Sequence, residues 1–436
     1  MIIGIDDTDS NEGMCTTYLG ALLLEELRAY GTVAEEPVLI RLNPTIPYKT
    51  RGNAAVALRV ETEYPEKVME HVLEGVETFA RFECEKTNPG VVFVPEKDFE
   101  RLEAPLWVFL GRAIRDVLSI EEAKALIFDL KIPFKGFKNG RGLIGALAAC
   151  GAMLNLEKWD HTFEYLVYRE KSRLSPFSPR KVEEESLYEA DRATYPRTWD
   201  TVDYANGIPV CVPRSPDPVL FGIRGESVEA VSQAVARIRA EPAERCCVYR
   251  TNQGTDMHLL ATESIGEIED MRSYRLEGTV AGEEGPKTIE GGHVIFSVRD
   301  REGSELDCAA FEPTKNFRTL VRNLIPGDRV LLSGSVKNRT LNIEKLEIRE
   351  MVPLYGEENP KCPDCGKHMK SAGKGQGFRC RNCGTSAGSK VRFEVERGLV
   401  PGIYEVPPCA RRHLAKPLVR ETAFLKDPGC KIYPSR

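Results

Sequence analysis

Asp6, Asp7 and Asp9 fall within four residues, directly after the apolar run Ile3-Gly4-Ile5, and Thr16 and Thr17 follow Gly13-Met14-Cys15. Carboxylates gathered at the end of a strand are hard oxygen ligands of the kind Mg²⁺ takes, and that ion commonly bridges to phosphates. The threonines open a segment in which Tyr18, Leu19, Leu22, Leu23 and Leu27 recur at helical spacing, which predicts an amphipathic helix. Its N-terminus would turn free N–H groups and a positive dipole end towards an anion. Strand, acidic loop and helix start together make a candidate nucleoside-triphosphate site, although there is no Walker A string. A capped turn is the simpler reading, since Asp, Ser and Thr are ordinary turn residues and Thr16 or Thr17 would serve as N-cap. Three carboxylates so close repel one another unless a cation offsets them, and this density favours the metal-phosphate reading.

A second group of residues carries metal chemistry. Cys362-Pro363-Asp364-Cys365 and Cys380-Arg381-Asn382-Cys383 are separated by fourteen residues. Two CxxC knuckles at this spacing supply four thiolates for one tetrahedral, structural Zn²⁺, with no open coordination position. Gly366 and Gly384 permit the tight turn after each pair. Between the knuckles lies a glycine-rich basic hairpin, 371–379. That hairpin and the run Cys409-Ala410-Arg411-Arg412-His413 are candidate phosphate contacts. Cys409 with His413 would be a poor second metal pair, because two ligands alone do not hold an ion.

These residues need a large scaffold. At 436 residues the chain exceeds one ordinary core and predicts three or four domains. No apolar run approaches membrane-spanning length, and the N-terminus enters a strand without a basic and apolar leader, so a cytoplasmic location is the expectation. Thirteen cysteines, nine of them scattered, fit a reducing compartment better than a disulfide scaffold. Residues 353–436 carry sixteen Lys and Arg against eight Asp and Glu, so this +8 tail leaves −14 for the remainder of a chain whose net charge is −6. An acidic body with a basic tail suits a polyanion held at one end while chemistry proceeds elsewhere.

The periodicity divides the chain into four. Residues 1–118 alternate strands (near 37–41, 54–60 and 89–94) with helices, including one at 65–73. Two polar loops, 49–53 and 85–90, each set a cation beside Thr, Asn and Gly, which suits phosphate oxygens or a plain surface hairpin. Residues 119–271 form a second α/β block. There Gly140-Arg141-Gly142 leads into a small-residue helix expected to pack closely, and this GxG is weak evidence for a nucleotide. The polar stretch at 170–203 reads as a long loop, and the β-α-β order after it suits a ferredoxin-like layer. Residues 272–352 give five short strands, near 274–280, 293–298, 306–311, 329–336 and 342–348. One helical segment, 315–324, lies between the third and fourth, which is the OB-fold order. Residues 353–436 hold the ribbon and the basic tail.

Taken in order, these features resemble one family, the archaeal isoleucine-tRNA 2-agmatinylcytidine synthetases. The carrying strings are GIDDTDS (4–10), GMCTTYL (13–19), RLNPTIPYKTRGN (41–53), EKTNPG (85–90), GRGLIGALAA (140–149), PVLFGIRGES (218–227), TDMHL (255–259), EGGHV (290–294), AAFEPTK (309–315), the ribbon and YEVPPCARRHL (404–414). They run through nearly the whole chain. Phe221 stands where a tyrosine is usual, and the tail after Arg420 departs from the family.

The resemblance implies a multidomain α+β protein. Its parts would be an α/β kinase-like catalytic domain (1–118), a ferredoxin-like domain (119–271), an OB-fold barrel that binds RNA (272–352) and a zinc ribbon with its tail (353–436). It implies an ATP-dependent ligase that activates C2 of the wobble cytidine of an isoleucine tRNA with a CAU anticodon. Agmatine then displaces the activated oxygen, so that the codon AUA is read as isoleucine. ATP, Mg²⁺ and structural Zn²⁺ are the implied cofactors. By position, Thr16 matches the family's autophosphorylated threonine. The residues expected to do this chemistry are Asp6, Asp7, Asp9 and Thr16, with Thr8, Lys49, Arg51, Asn53, Lys86 and Asn88 against ATP, and Cys362, Cys365, Cys380 and Cys383 on zinc. Agmatine is a dication, and Asp217, Glu226 and Asp256 are candidates for its pocket. Two rivals stand beside this reading: a non-catalytic single-strand nucleic-acid-binding protein built on the OB fold and ribbon, and a related ligase that uses another amine.

Overall fold

The structure, a computed structural model, describes residues 1–34, 36–49, 52–173, 178–421 and 432–435. Its first half is built on one long sheet. The elements that form or cover that sheet are β1 (Ile2–Asp6), α1 (Thr16–Glu26), β2 (Val38–Arg41), β3 (Ala54–Glu61), α2 (Pro65–Phe79), β4 (Gly90–Val94), α3 (Phe99–Arg115), α4 (Ile120–Asp129), β5 (Phe134–Gly136), α5 (Leu143–Leu154), β6 (Thr162–Arg169), α6 (Glu184–Thr194), β7 (Thr198–Trp199), β8 (Val219–Gly225), α7 (Val228–Val235) and β9 (Ala243–Thr251). Strand order across the sheet is β5-β4-β1-β3-β2-β9-β6-β8-β7. All its pairings along this path are antiparallel except one, the parallel seam where Val38 and Leu39 meet Arg250 and Thr251.

Strand alternation sorts the core onto two faces. Ile3 and Ile5 of β1 face α1 and α2 with Leu39, Val56, Leu58 and Phe93. Ile2 faces α3, α4 and α5 with Val38, Ile40, Ala57 and Val92. Helix α5 is made of small residues because it lies almost on the sheet: a Cβ on Gly4 would stand 2.0 Å from the Ala146 carbonyl oxygen. The close packing expected of this helix is therefore observed. Residues 119–154, which the periodicity groups with the second block, pack on the first: β5 pairs with β4, and α5 lies against β1, β3 and β4.

Two local expectations are corrected. Helix α1 is not amphipathic over its first turns, since Thr16 to Leu24 are all buried between β3, α2 and the Tyr18–Tyr168–Tyr249 cluster. Tyr249 fixes it by donating its hydroxyl to the Thr17 carbonyl oxygen at 2.5 Å. The stretch 170–203 is not one loop, since it contains α6, whose Leu187 and Ala190 pack against β8 residues and α7.

The chain then passes through β10 (Leu259–Thr262) into a closed barrel of five strands: β11 (Ser273–Ala281), β12 (Val294–Arg299), β13 (Glu305–Ala310), β14 (Arg329–Lys337) and β15 (Thr340–Glu350). Closure follows the ring β11-β12-β13-β15-β14-β11, in which only β13 and β15 run parallel. Helix α8 (Phe317–Arg322) lies between β13 and β14, as the sequence predicts. After the barrel a short antiparallel stem (Tyr355–Glu358 with Val391–Glu394) carries the ribbon, whose small core is Cys362, Met369 and Cys380. The chain then returns, and β16 (Gly402–Glu405) adds to β15 of the barrel. Among the described residues, no helix is long and apolar enough to cross a membrane.

Candidate active site at the aspartate loop

The acidic loop leaves β1, between β4 and β3 in the sheet. Asp7 has left-handed backbone (φ 61°), which Asp tolerates better than most residues at a cost of roughly 1–2 kcal/mol. Its Oδ2 accepts the Asn88 backbone N–H at 3.0 Å, and its own N–H donates to Asp6 Oδ1 at 2.7 Å. Thr87 Oγ1 donates to the Asp9 carbonyl at 2.5 Å. The 85–90 loop thus grips the aspartates through its backbone and Thr87. The side-chain amide of Asn88 goes to its own loop instead, donating to the Glu85 carbonyl oxygen.

Asp6, Asp7 and Asp9 line one cleft with Lys49, Asn53, Asp116, Arg141 and Gly145. Burial raises the Asp6 carboxyl well above its usual range, and the Asp7 charge adds to this. Burial followed by the Asp9 charge raises Asp7 to about 7. Arg141 opposes both shifts and Lys138 opposes that of Asp7. Carboxylates that resist ionisation together, at a cleft lined by Arg141, are the donor set a divalent cation relieves.

Gly145 makes room for Asp6, because a Cβ there would stand 1.9 Å from Asp6 Oδ2. Gly145→Ala should therefore displace Asp6, with a stability loss of about 1–3 kcal/mol, and, on the expectation from sequence that this cleft takes ATP, raise the KM for ATP and cut product formation by about 100-fold. Steady-state kinetics and a thermal melt measure the two effects, and an unchanged KM for ATP would contradict the placement.

A second cavity of about 280 Å³ adjoins the first at Asp9 and Gly52, which line both. Thr16 and Thr17 form one wall, and Arg41, Glu164, Asp200, Asp217, Arg224 and His413 form others. Thr16 is not an N-cap. Cys15 holds that position, with no side-chain cap bond, and Thr16 Oγ1 accepts from Thr8 Oγ1 at 3.0 Å and from Thr8 N–H at 3.4 Å. Glu164 is held below the usual carboxylate range, against its burial, by Arg224 and Arg41 and by hydrogen bonds from Gln253 and Arg224. Arg224 Nη2 donates to His413 Nδ1 at 2.8 Å. An arginine cannot accept, so His413 is neutral with its proton on Nε2. Desolvation, then Arg41, Arg224 and Lys49, holds its pKa well below the usual value.

The residues expected from sequence divide by place. Thr8 is fully buried behind Thr16 rather than open to a ligand. Asn53 lines the cleft and donates to the Asn43 carbonyl oxygen. Lys49 lines it too, but its ammonium turns to the Pro44 carbonyl at 2.6 Å. Lys86 is exposed and is not among the residues lining the cleft, and Arg51 lies outside the described residues. Among the dication candidates Asp217 lines the second cavity, where Arg180 pairs with it at 3.3 Å, while Glu226 pairs with Arg420 and Asp256 with Lys345 away from it. Arg411 is not a phosphate contact, since it is buried between Asp200 and Glu405. Cys409 lies against Asp203 and Asn206 rather than forming a metal pair with His413. The sequence reading missed Arg141, Glu164, Asp200 and Arg224. The Gly140-Arg141-Gly142 string was the signal for Arg141 and PVLFGIRGES the one for Arg224, while Glu164 and Asp200 sit on a strand and a turn without any motif.

In the ribbon, Cys362, Cys365, Cys380 and Cys383 bring their sulfur atoms within 4.8 Å of one another, which fits one tetrahedral Zn²⁺. The ribbon core shares no residue with the larger cores. Chelation should therefore release about one zinc per chain and open 359–399 to proteolysis while the main melting transition stays in place. A main transition that falls with the metal would show that the ribbon holds up the body.

Comparison with known proteins agrees with this arrangement. Residues 2–64 match the model of the TiaS TCKD domain, 140–258 that of the TiaS FLD domain, and 359–399 that of the TiaS C-terminal zinc ribbon domain. The tRNA(Ile2) 2-agmatinylcytidine synthetase TiaS of Methanosarcina acetivorans is 68% identical over 436 residues, covering 100% of both chains. Among solved structures, the TiaS–tRNA(Ile2)–ATP complex is similar with a TM-score of 0.86 and 49% identity, over 96% of this chain and 97% of that one. The TiaS–tRNA(Ile2)–AMPCPP–agmatine complex is similar with a TM-score of 0.85 and 46% identity, over 99% of each. A relative this similar along its full length leaves no room for another lineage: the chain belongs to the tRNA(Ile2) 2-agmatinylcytidine synthetase family.

Proposed function

We propose that the chain is an ATP-dependent ligase that joins agmatine to C2 of the wobble cytidine of an isoleucine tRNA with a CAU anticodon. The product base makes the codon AUA read as isoleucine. The observation that carries the residue-level reading is the adjoining of two chemically different cavities at Asp9 and Gly52.

In this reading the first cleft takes ATP. Asp6, Asp7 and Asp9 are the residues that would hold Mg²⁺, which neutralises phosphate charge when bound. Arg141 is the cation beside them. Asn53 and the Thr87–Asn88 loop hold the cleft walls. The second cavity takes the amine. Asp9, Glu164, Asp200 and Asp217 line it, and although Arg41, Arg224, Arg411 and Arg180 pair with the last three, their carboxylate oxygens are the acceptors a dication needs. The C2 oxygen of cytidine leaves poorly until it is phosphorylated. The agmatine nitrogen then forms the new bond to C2, the C2–O bond breaks with the phosphate, and the amine gives up its proton. Thr16, on the wall of the second cavity, is the hydroxyl placed to accept a phosphate.

The same reading names the domains. Residues 1–118 are kinase-like, with 119–154 packed on them, and the rest of the 119–271 block is ferredoxin-like. Support for the latter is the strand order β9-β6-β8-β7 with α6 after β6 and α7 after β8, the arrangement of a split βαβ layer. Residues 272–352 are the OB-fold domain and 353–436 the ribbon with its tail, and the setting is the cytoplasm. Incubation with ATP, Mg²⁺ and the tRNA, with agmatine or with lysine, followed by mass analysis of the anticodon nucleoside, tests the whole reading. An agmatine adduct that needs ATP is expected. Binding of the RNA without ATP turnover would favour a non-catalytic RNA-binding protein, and a lysine adduct would name another amine.

A further inference from the structure

The cations around the mouth of the cleft have no role in the chemistry above. Lys49 and Tyr48 lie in the loop that covers the aspartates, and Tyr48 is 54% exposed with the Arg141 guanidinium 4.0 Å from its ring centroid. This loop is fastened to the barrel. Asn43 Nδ2 and Thr45 Oγ1 both donate to the Met271 carbonyl oxygen, at 2.9 and 2.6 Å, and the Met271 N–H donates to Val336 O at 3.0 Å. The next residue, Lys337, is exposed at the tip of the β14–β15 hairpin, whose turn residues Asn338 and Arg339 have φ near 52° and 55°. Arg412, from the segment that returns after the ribbon, reaches the same strand through Ser335 Oγ at 2.7 Å.

Three separate stretches of chain thus bring Lys49, Lys337 and Arg412 together. Burial lowers the Lys49 pKa, and so do the charges of Arg412, Lys337 and Arg41, in that order. Arg412 is paired with Glu344 at 3.3 Å, whereas Lys49 and Lys337 have no carboxylate within ion-pair distance among the described residues, and like charges converging at a rim cost free energy unless an anion joins them. A row of cations beside an exposed aromatic ring is the pattern that follows a single-stranded nucleic-acid backbone and stacks one base. A solvated basic surface would not need anchoring from three parts of the fold.

We propose that Lys49, Lys337 and Arg412, with Tyr48 as a stacking platform, clamp the single-stranded RNA backbone flanking the target cytidine at the mouth of the cleft. This rests on the proposed reaction for its choice of RNA, but its test needs no turnover. The probe is unmodified tRNA(Ile2) transcript, bound without ATP or agmatine over a range of salt. For Lys49→Gln with Lys337→Gln, the slope of log affinity against log salt should fall by about 1.4, since each phosphate contact on a single strand contributes about 0.7. Affinity at fixed salt should fall about tenfold, and Tyr48→Ala should weaken binding without changing the slope. Lys97→Gln is the control, because Lys97 follows β4 at the end of the sheet opposite the aspartates, where Val94 pairs with Ile2. A double variant with the slope of the control overturns the clamp, as does a raised KM for ATP with unchanged RNA affinity. If the wild-type chain binds the transcript yet attaches no agmatine, the chemistry fails while the slopes still decide the clamp.

Discussion

Asp7→Asn should cut ligation about 10²–10³-fold and at the same time stabilise the Mg²⁺-free chain at neutral and alkaline pH. The amide is nearly isosteric with the carboxylate, tolerates the left-handed backbone at this position, and still offers an oxygen to the Asn88 N–H. What it removes is the charge. In the folded chain burial and then Asp9 raise the Asp7 pKa from 3.8 to about 7. A carboxyl whose folded pKa lies above its unfolded value contributes stability that is fully present below pH 3.8 and is lost as the pH rises through about 7. At about 1.4 kcal/mol per pKa unit, the loss reaches on the order of 4 kcal/mol as an upper bound. The amide does not titrate. In Mg²⁺-free buffer the wild-type chain should melt lower at pH 8 than at pH 5.5, and the variant should show a smaller drop and a higher melting temperature at pH 8. Product formation should fall about 10²–10³-fold, the size of effect expected when one charge aimed at a transferring phosphate is lost. A variant that melts below wild type at pH 8 would mean that the carboxylate is a structural acceptor, and the metal-phosphate reading of this loop would lose its physical basis.

How much of this was legible in the sequence depends on the range of the forces involved. Strands β1, β3 and β4 and all five barrel strands follow from local apolar runs between turn residues, and the ribbon follows from cysteine spacing alone. The Asp6–Asp9 loop was legible because its residues are neighbours in the chain. The opposite holds for the second cavity. Glu164 and Arg224 are adjacent only because β6 and β8 pair in register, and His413 joins them only because the chain returns after the ribbon. Helix α1 was misread for a related reason. Its polar-looking start, Thr16 and Thr17, is buried because Thr8 from the β1 loop and Tyr249 from β9 satisfy it, and neither partner is local. Likewise the basic run at 411–412 predicts phosphate contacts, yet Arg411 is consumed by Asp200 and Glu405, which lie far away in sequence. Charge counting cannot distinguish a cation aimed at RNA from one locked inside the fold.

Thr16 should give the second large effect, and three substitutions separate its possible roles. As a structural residue it accepts the Thr8 hydroxyl at 3.0 Å and, more weakly, the Thr8 N–H at 3.4 Å, at a site only 5% exposed. Thr16→Ala would leave the buried Thr8 hydroxyl without its acceptor, at about 1–3 kcal/mol. Thr16→Val keeps the volume and β-branching and loses the same hydrogen bond, so both variants should be destabilised similarly. Thr16→Ser keeps the oxygen and gives up one methyl group. If the hydroxyl accepts phosphate during the reaction, Ala and Val should both lose product formation by more than about 10³-fold, with Ser within about tenfold of wild type. Label from γ-phosphate-labelled ATP should stay on the wild-type and Ser chains and be absent from the other two. The long Thr8 N–H bond is the weaker of the two that Thr16 accepts, so freeing a lone pair for transfer costs little. A purely structural threonine predicts a different pattern, in which activity tracks stability and Ala and Val retain turnover at temperatures where they remain folded. Turnover of Thr16→Val at the wild-type rate would remove this residue from the chemistry and leave it as the packing partner of Thr8.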